Sequence, residues 1–171
     1  MTEQTTTEQT TTEEYGPGAG PGPKVLTEEE LSGVLAEHQF GALATVKRNG
    51  HPSLSTVAYH WDPEERVIRF STTADRLKVR QVRNNPRVAF YVSSPDHMAY
   101  AVAEGTAELS EVTSEPGDAT GRELLAIGPP LDDPADRAAF LQQMVKDRRL
   151  VIRIRVSRLY GVALDIPSGD A

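Results

Sequence analysis

Residues 40–61 read FGALATVKRNGHPSLSTVAYHW, two runs rich in apolar and β-branched residues that are joined through Asn49-Gly50. Asn-Gly readily adopts the positive φ angles of a tight hairpin turn, and the flanking composition is typical of strands. The sequence therefore predicts a β-hairpin with strands at 40–47 and 51–61.

Further strand patterns lie on the C-terminal side of this hairpin. After a turn signal at 62–65, residues 66–72 alternate between two faces and extend the hairpin to a predicted three-stranded meander. Strands are also predicted at 87–93, 98–109 and 150–164. This pattern predicts a mainly β fold, a closed or nearly closed barrel of about six antiparallel strands with a few short helices.

The predicted helices are short and lie between the strands. Thr27 and Glu30 form a capping box, which predicts a helix beginning at Thr27, with Leu26 packed on Leu31. A second helix is predicted from Asp75 to Asn84, because the residue before a proline disfavours helical angles. Two more are predicted near 122–127 and 135–148, the latter with an apolar face.

The chain of 171 residues has the length of one domain. Residues 1–24 combine Thr/Glu/Gln repeats with a Gly/Pro run, so we expect a disordered tail at 1–24 and a β-barrel domain at 25–171. There is no cysteine, which excludes disulfides and thiolate chemistry. No signal-peptide or membrane-spanning pattern is present, so the sequence predicts a cytoplasmic protein without a membrane partner.

The charge of −7 is distributed unevenly. Residues 66–87 contain seven basic side chains and one acid, and a second basic run covers residues 146–158. Two local patches favour a compact anion over a nucleic acid, for which a basic face across the whole domain is expected.

The junction near residue 71 is the strongest candidate for an anion site. A strand ends in Ser71-Thr72-Thr73 where a helix is predicted to begin, so unpaired backbone N–H groups and the helix dipole would meet at residues 71–75. Arg76 and Lys78 would add charge-assisted hydrogen bonds. A plain helix cap followed by a solvated basic face explains the same residues equally well.

Few residues suggest catalysis. The four histidines show no metal-ligand spacing, and no nucleophile motif is present. The sequence therefore predicts neither a metal site nor dedicated catalytic residues. Tyr59, His60 and Tyr100 are candidates for proton delivery, although each is also explained by packing or hydrogen bonding. Met98 and Tyr100 share one strand face, where they either stack on a ligand ring or fill the core.

Several segments together resemble the FMN-binding split β-barrel family that includes pyridoxamine phosphate oxidases. The first are FGALATVK (40–47), NGHPSLS (49–55) and YHWDP (59–63). Arg76-x-Lys78-x-Arg80, the strand YAVAEGTA (100–107) and the closing segments 147–149 and 159–161 resemble the deazaflavin-dependent branch, the flavin/deazaflavin oxidoreductases of group B. The resemblance covers about residues 26–164.

This resemblance implies a homodimer with a cofactor across its interface, coenzyme F-420 or, alternatively, FMN. It implies an oxidoreductase that transfers hydride between the deazaflavin and a small organic acceptor; the alternatives are an FMN-binding oxidase-like protein and a cofactor carrier. It also favours the anion-site interpretation of residues 71–78. The implied cofactor-binding residues are Ser71, Arg76 and Lys78 at the phosphate with Thr72 and Leu77 beside them, Pro52, Ser53 and Thr56 at the ring, and Met98 and Tyr100 from the partner chain.

The fold also predicts a homodimer, because a six-stranded barrel of this size leaves apolar strand faces uncovered. We expect such a face to be formed by four side chains of the strands near residues 90 and 100: Phe90, Val92, Met98 and Tyr100.

Overall fold

The structure is a computed structural model that describes residues 22–164. The predicted disorder of residues 1–21 lies outside the described residues, and Lys24, the last residue of the predicted tail, already begins a short strand. The strands are β1 (Lys24–Val25), β2 (Phe40–Val46), β3 (Pro52–Ala58), β4 (His60–Asp62), β5 (Val67–Thr73), β6 (Arg87–Ser93), β7 (Ala99–Leu109) and β8 (Arg149–Ala163). The helices are α1 (Glu28–Glu37), α2 (Leu77–Asn84), α3 (Ala119–Ala126) and α4 (Pro134–Lys146).

The strands form one antiparallel sheet in the order β3-β2-β6-β7-β8-β5-β4, with β1 paired to β8. The two ends of this order, β3 and β4, are consecutive in the chain and are separated only by Tyr59. The sheet therefore curls back on itself, which confirms the predicted split barrel. Six strands are long, and β1 and β4 are short.

The strand pairings of the predicted meander are correct, but its middle strand is not one continuous strand. The segment at 51–61 is two strands: β3 pairs with β2, and β4 pairs with β5 through the register His60↔Arg69 to Asp62↔Val67. The local alternation of residues 51–61 contains no signal for this break, because it is the curvature of the whole sheet that separates the two partners.

Helix α1 begins as predicted. The Thr27 side chain accepts from the backbone N–H of Glu30, and the Glu30 carboxylate accepts from that of Thr27, so the capping box is present. Leu31 and Leu35 are buried in the main core. The Trp61 indole N–H donates to Ser32 Oγ at 2.9 Å, which fixes α1 against β4.

Helices α3 and α4 form a pair beside β8, with a small core of Leu124, Met144 and Val151. Glu123 of α3 accepts hydrogen bonds from Arg153 and lies 3.4 Å from Arg69 Nε. This ionic contact joins α3 to β5 and β8, and so positions the loop that follows α3. Between residues 22 and 164, no helix is both long and apolar enough to cross a membrane.

The predicted apolar outer face is wrong at two of its four residues. Phe90 and Val92 point into the core and are buried, whereas Tyr91 between them is exposed. A strand presents alternate residues to opposite faces, so an error of one residue exchanges the two faces. Tyr91 stacks on Tyr100 with ring centroids 5.6 Å apart, and Met98 is exposed as expected. Large apolar residues are also exposed on β2, β3 and β8: Phe40, Leu54 and Tyr160.

Candidate functional site

The main candidate site is a cleft of about 820 Å³ where the barrel is split. Strand β5 pairs with β4 only through residues 67–69, and no ladder joins β3 to β5. Residues 56–59 line one wall of the cleft and residues 70–73 line the other. On the edges that face this gap, the backbone polar groups of β3 and β5 have no ladder partners, so they are available to a ligand.

The basic side of the cleft is formed by Arg76, Lys78 and Arg149. Arg149 Nη1 donates to Ser71 Oγ at 3.3 Å. Arg149 Nε is buried without a hydrogen-bond partner among the described residues, and the Asp147 carboxylate, at 3.6 Å, is too far to accept one. A buried unpaired donor costs free energy, so an anion bound here would satisfy a group that the chain itself leaves unsatisfied.

The environment of Lys78 also favours an anion. Burial lowers the pKa of Lys78, and the neighbouring Arg76 guanidinium lowers it further. Neither side chain forms an ion pair among residues 22–164. A negative group between them would relieve their repulsion, which is the arrangement expected of a phosphate site.

The predicted start of the helix near this site is wrong. Strand β5 continues to Thr73 and pairs with β8 through Arg149, so residues 71–73 belong to the sheet and are not free amides at a helix end. Arg76 is the N-cap of α2, and the helix begins at Leu77. The unpaired N–H groups of its first turn are therefore those of Leu77 and Lys78.

Tyr59, a candidate for proton delivery, lines the cleft, but its hydroxyl is engaged in a hydrogen bond to α1. The hydroxyl donates to the Leu35 carbonyl at 2.6 Å, and the ring packs edge to face on Phe90. Burial raises the pKa of Tyr59 above its usual value. His60 and Tyr100 do not line the cleft. Tyr59 is thus held as a structural group between α1 and the barrel.

Replacement of Tyr59 by phenylalanine tests this assignment. Loss of its hydrogen bond should lower the free energy of unfolding by about 1 kcal/mol. Thermal melting measures this effect. A melting temperature equal to that of the wild type would contradict the structural role of the hydroxyl.

The sequence prediction missed the loop at 127–130. Four residues of this loop line the cleft, held there by the contact of Glu123 with β5 and β8: Ile127, Gly128, Pro129 and Pro130. The two prolines restrict the backbone angles of this loop. Arg149 was also missed as a site residue, although it lies in the second basic run; it reaches Ser71 across 78 residues of sequence.

The cofactor-binding residues that were predicted are only partly brought together. Thr56, Ser71, Thr72, Arg76 and Lys78 line the cleft. The other five do not line it: Leu77 borders a second cleft, Pro52 and Ser53 lie toward the β2–β3 turn, and Met98 and Tyr100 lie at the start of β7.

The predicted basic surplus at 66–87 is smaller than the sequence indicates. Arg66 pairs with Glu28, and Arg69 pairs with Asp62, Glu65 and Glu123. Among the described residues, the cations of this stretch without an acidic partner are Arg76, Lys78, Arg80, Arg83 and Arg87. Only the first two border this cleft.

Comparison with known proteins places this architecture among characterised folds. Residues 27–163 match the family model described as pyridoxamine 5′-phosphate oxidase. An F420 reductase of solved structure is 30% identical with a TM-score of 0.53, over 75% of this chain and 94% of that chain. A conserved hypothetical protein from Mycobacterium tuberculosis shares the fold with a TM-score of 0.68 at 23% identity, over 90% of this chain and 96% of that chain. A FAD-binding protein from Mesorhizobium loti also shares the fold, with a TM-score of 0.56 at 18% identity, over 82% of this chain and 96% of that chain.

Proposed function

We propose, from the premise that this chain belongs to the pyridoxamine 5′-phosphate oxidase family, that it is a coenzyme F-420-dependent oxidoreductase acting on a small organic acceptor. The observation that carries this proposal is the convergence of Ser71, Arg76, Lys78 and Arg149 on one cleft at the split of the barrel. The 30% identity to an F420 reductase favours the deazaflavin over FMN.

The residues present fit a phosphate-bearing cofactor. Arg149 has a buried Nε without a hydrogen-bond partner among the described residues, and Arg76 and Lys78 lie together without an acidic partner there. Arginine offers two parallel donors to a phosphate and lysine offers a compact charge. We assign the phosphate to these three side chains together with the Ser71 hydroxyl.

A bound deazaflavin supplies hydride transfer, while the protein supplies binding, orientation and exclusion of water. Arg76 and Lys78 hold the charged end of the cofactor. Thr56 and the neighbouring residues of β3 would form a wall for the ring, and Pro129 and Pro130, which line the same cleft, would limit the access of water. No side chain of the cleft is assigned as a catalytic acid or base.

We further propose that the protein is a homodimer in which the partner's outer sheet face completes the site. Met98 and Tyr100 belong to this face together with Tyr91 and Leu54. An uncovered apolar surface of this kind is typical of an interface between copies.

Light scattering at micromolar concentration should therefore give twice the mass of the chain. Leu54→Asp should shift it toward the monomer and weaken cofactor binding, because a carboxylate would be buried in the interface. Gln142→Asp, at an exposed position of α4, is the control and should remain dimeric. A wild-type monomer that binds cofactor normally would contradict the shared site.

The cofactor itself is tested by expression in a host that makes FMN but no deazaflavin. The protein should purify colourless and then bind added F-420 more tightly than added FMN, as measured by fluorescence titration. Reduced F-420 with candidate acceptors should give turnover. A yellow protein that holds stoichiometric FMN and is not displaced by F-420 would identify it as an FMN-binding member of the family.

A further inference from the structure

A second cleft of about 790 Å³ lies between the β2–β3 turn and α2. Residues 46–49 form one side, and the other side is one face of α2 that includes Leu77, Arg80 and Gln81. The first turn of α2 separates the two clefts, because Arg76 and Lys78 border the first and Leu77 borders the second. The second cleft is therefore a distinct space.

The charged lining of this second cleft is entirely basic. None of its cations forms an ion pair among residues 22–164, whereas Arg69, Arg153, Arg155 and Arg158 of β5 and β8 are all paired with acids. Like charges one helical turn apart destabilise a helix, and α2 contains no acid to offset them. Unpaired cations thus collect at one place in a chain of net charge −7. They are Lys47, Arg48, Arg80 and Arg83.

Gln81 provides an independent sign of a ligand. It borders the cleft and is only 6% exposed. Thr45 Oγ1 donates to Gln81 Oε1 at 2.8 Å, but Gln81 Nε2 has no hydrogen-bond partner within the described part of the chain. Buried polar atoms of side chains are normally paired. An amide donor without a partner, on a residue that lines a cleft with four cations, suits the oxygen atoms of an anion.

The cleft also has an apolar part, formed by Val46 and Leu77, which are 36% and 50% exposed. Its volume lies in the range of pockets that bind organic molecules. An isolated inorganic anion would leave this apolar part in contact with water.

We propose that this cleft is a second anion-binding site, which takes an organic molecule carrying two or more negative groups. Arg80, Arg83 and the residues of the β2–β3 turn hold the negative groups, Gln81 Nε2 donates to one of their oxygens, and the apolar body lies on Val46 and Leu77. This inference does not depend on the identity of the cofactor.

Two metal-free probes on the full-length protein test the proposal: tripolyphosphate carries the charges alone, and ATP carries them on an organic body. Calorimetry should detect both, with ATP binding more tightly, and the NMR signals of the Gln81 side-chain amide should shift. Both double variants are made in the Arg76→Ala/Lys78→Ala background, because the phosphate site of the first cleft would also bind these probes. In that background Arg80→Ala/Arg83→Ala should weaken binding about 100-fold. The control is Arg155→Ala/Arg158→Ala, which removes the same charge from two arginines that form ion pairs with Glu108 and Glu104. This variant should bind the probes as tightly as the protein without it does.

Absence of binding by both probes, or equal weakening in both double variants, would overturn the proposal. Equal affinities of ATP and tripolyphosphate would overturn its apolar part.

Repeating the titration on cofactor-saturated protein identifies the source of the anion. Blocked binding means that an acidic part of the cofactor occupies the cleft, and unchanged binding means a separate ligand. Arg76→Ala/Lys78→Ala should retain probe binding at the second cleft even though it loses the cofactor. A wrong assignment of one cleft can therefore be told apart from a wrong assignment of the other.

Discussion

Replacement of both Arg76 and Lys78 by alanine should nearly abolish cofactor binding. Each charge-assisted hydrogen bond to a phosphate contributes about 1.5–3 kcal/mol, so each single variant should lose about 10- to 150-fold in affinity and the double variant more. Arg149 and Ser71 remain at the same cleft and should preserve weak residual binding. Fluorescence titration of the cofactor measures these affinities.

The affinity for the cofactor should also fall at alkaline pH, because of the environment of Lys78. Because burial and Arg76 lower its pKa, Lys78 loses its charge at a lower pH than an ordinary lysine does. Only the charged form attracts the phosphate, so affinity should be highest below this lowered pKa and fall as the pH rises through it. Lys78→Arg should remove this alkaline decline, since arginine stays charged.

The matched control is Arg155→Ala/Arg158→Ala, which removes the same charge from two residues of β8 that pair with Glu108 and Glu104 and line neither cleft. If this control weakened phosphate binding as much as Arg76→Ala/Lys78→Ala did, the effect would be a general one of net charge. Binding of the cofactor by Arg76→Ala/Lys78→Ala as tightly as by wild type would move the phosphate elsewhere.

Sequence patterns were sufficient where the signal is local. The capping box at Thr27 and Glu30 satisfies backbone groups within one helical turn, and Gly50 has the positive φ of 84° expected at the hairpin turn. Both features depend on residues close in the chain. The strand patterns similarly predicted the long strands and the nearly closed barrel.

The sequence failed where distant segments decide the structure. The break at Tyr59 follows from closure of the sheet, and β5 extends to Thr73 because it pairs with β8. Arg149 joins the site only through that same pairing. The prediction placed Phe90 on the outer face, where the structure has Tyr91, for another reason. Both residues are aromatic and lie in the same apolar strand. Only the packing of Phe90 against Phe70 and Tyr59 assigns it to the core.

Replacement of Gly161 by alanine should strongly destabilise the barrel, although it adds only one methyl group. Gly161 lies on β8 opposite Ala101 of β7. A Cβ at this position would overlap the Tyr100 carbonyl oxygen and would lie 2.9 Å from Leu31 Cδ2. The carbonyl belongs to the backbone of a paired strand and cannot move without disturbing the β7–β8 ladder, so we expect a loss of about 3 kcal/mol.

A melting experiment on Gly161→Ala and Gly33→Ala measures this effect with a matched control. Gly33 lies within α1, and a Cβ there meets no atom within 4 Å, so alanine should raise stability by up to about 1 kcal/mol through its higher helix propensity. The two identical substitutions should therefore shift the melting temperature in opposite directions, with a fall of about 10 °C for Gly161→Ala. A neutral result at Gly161 would mean that β7 and β8 approach less closely than the structure has them.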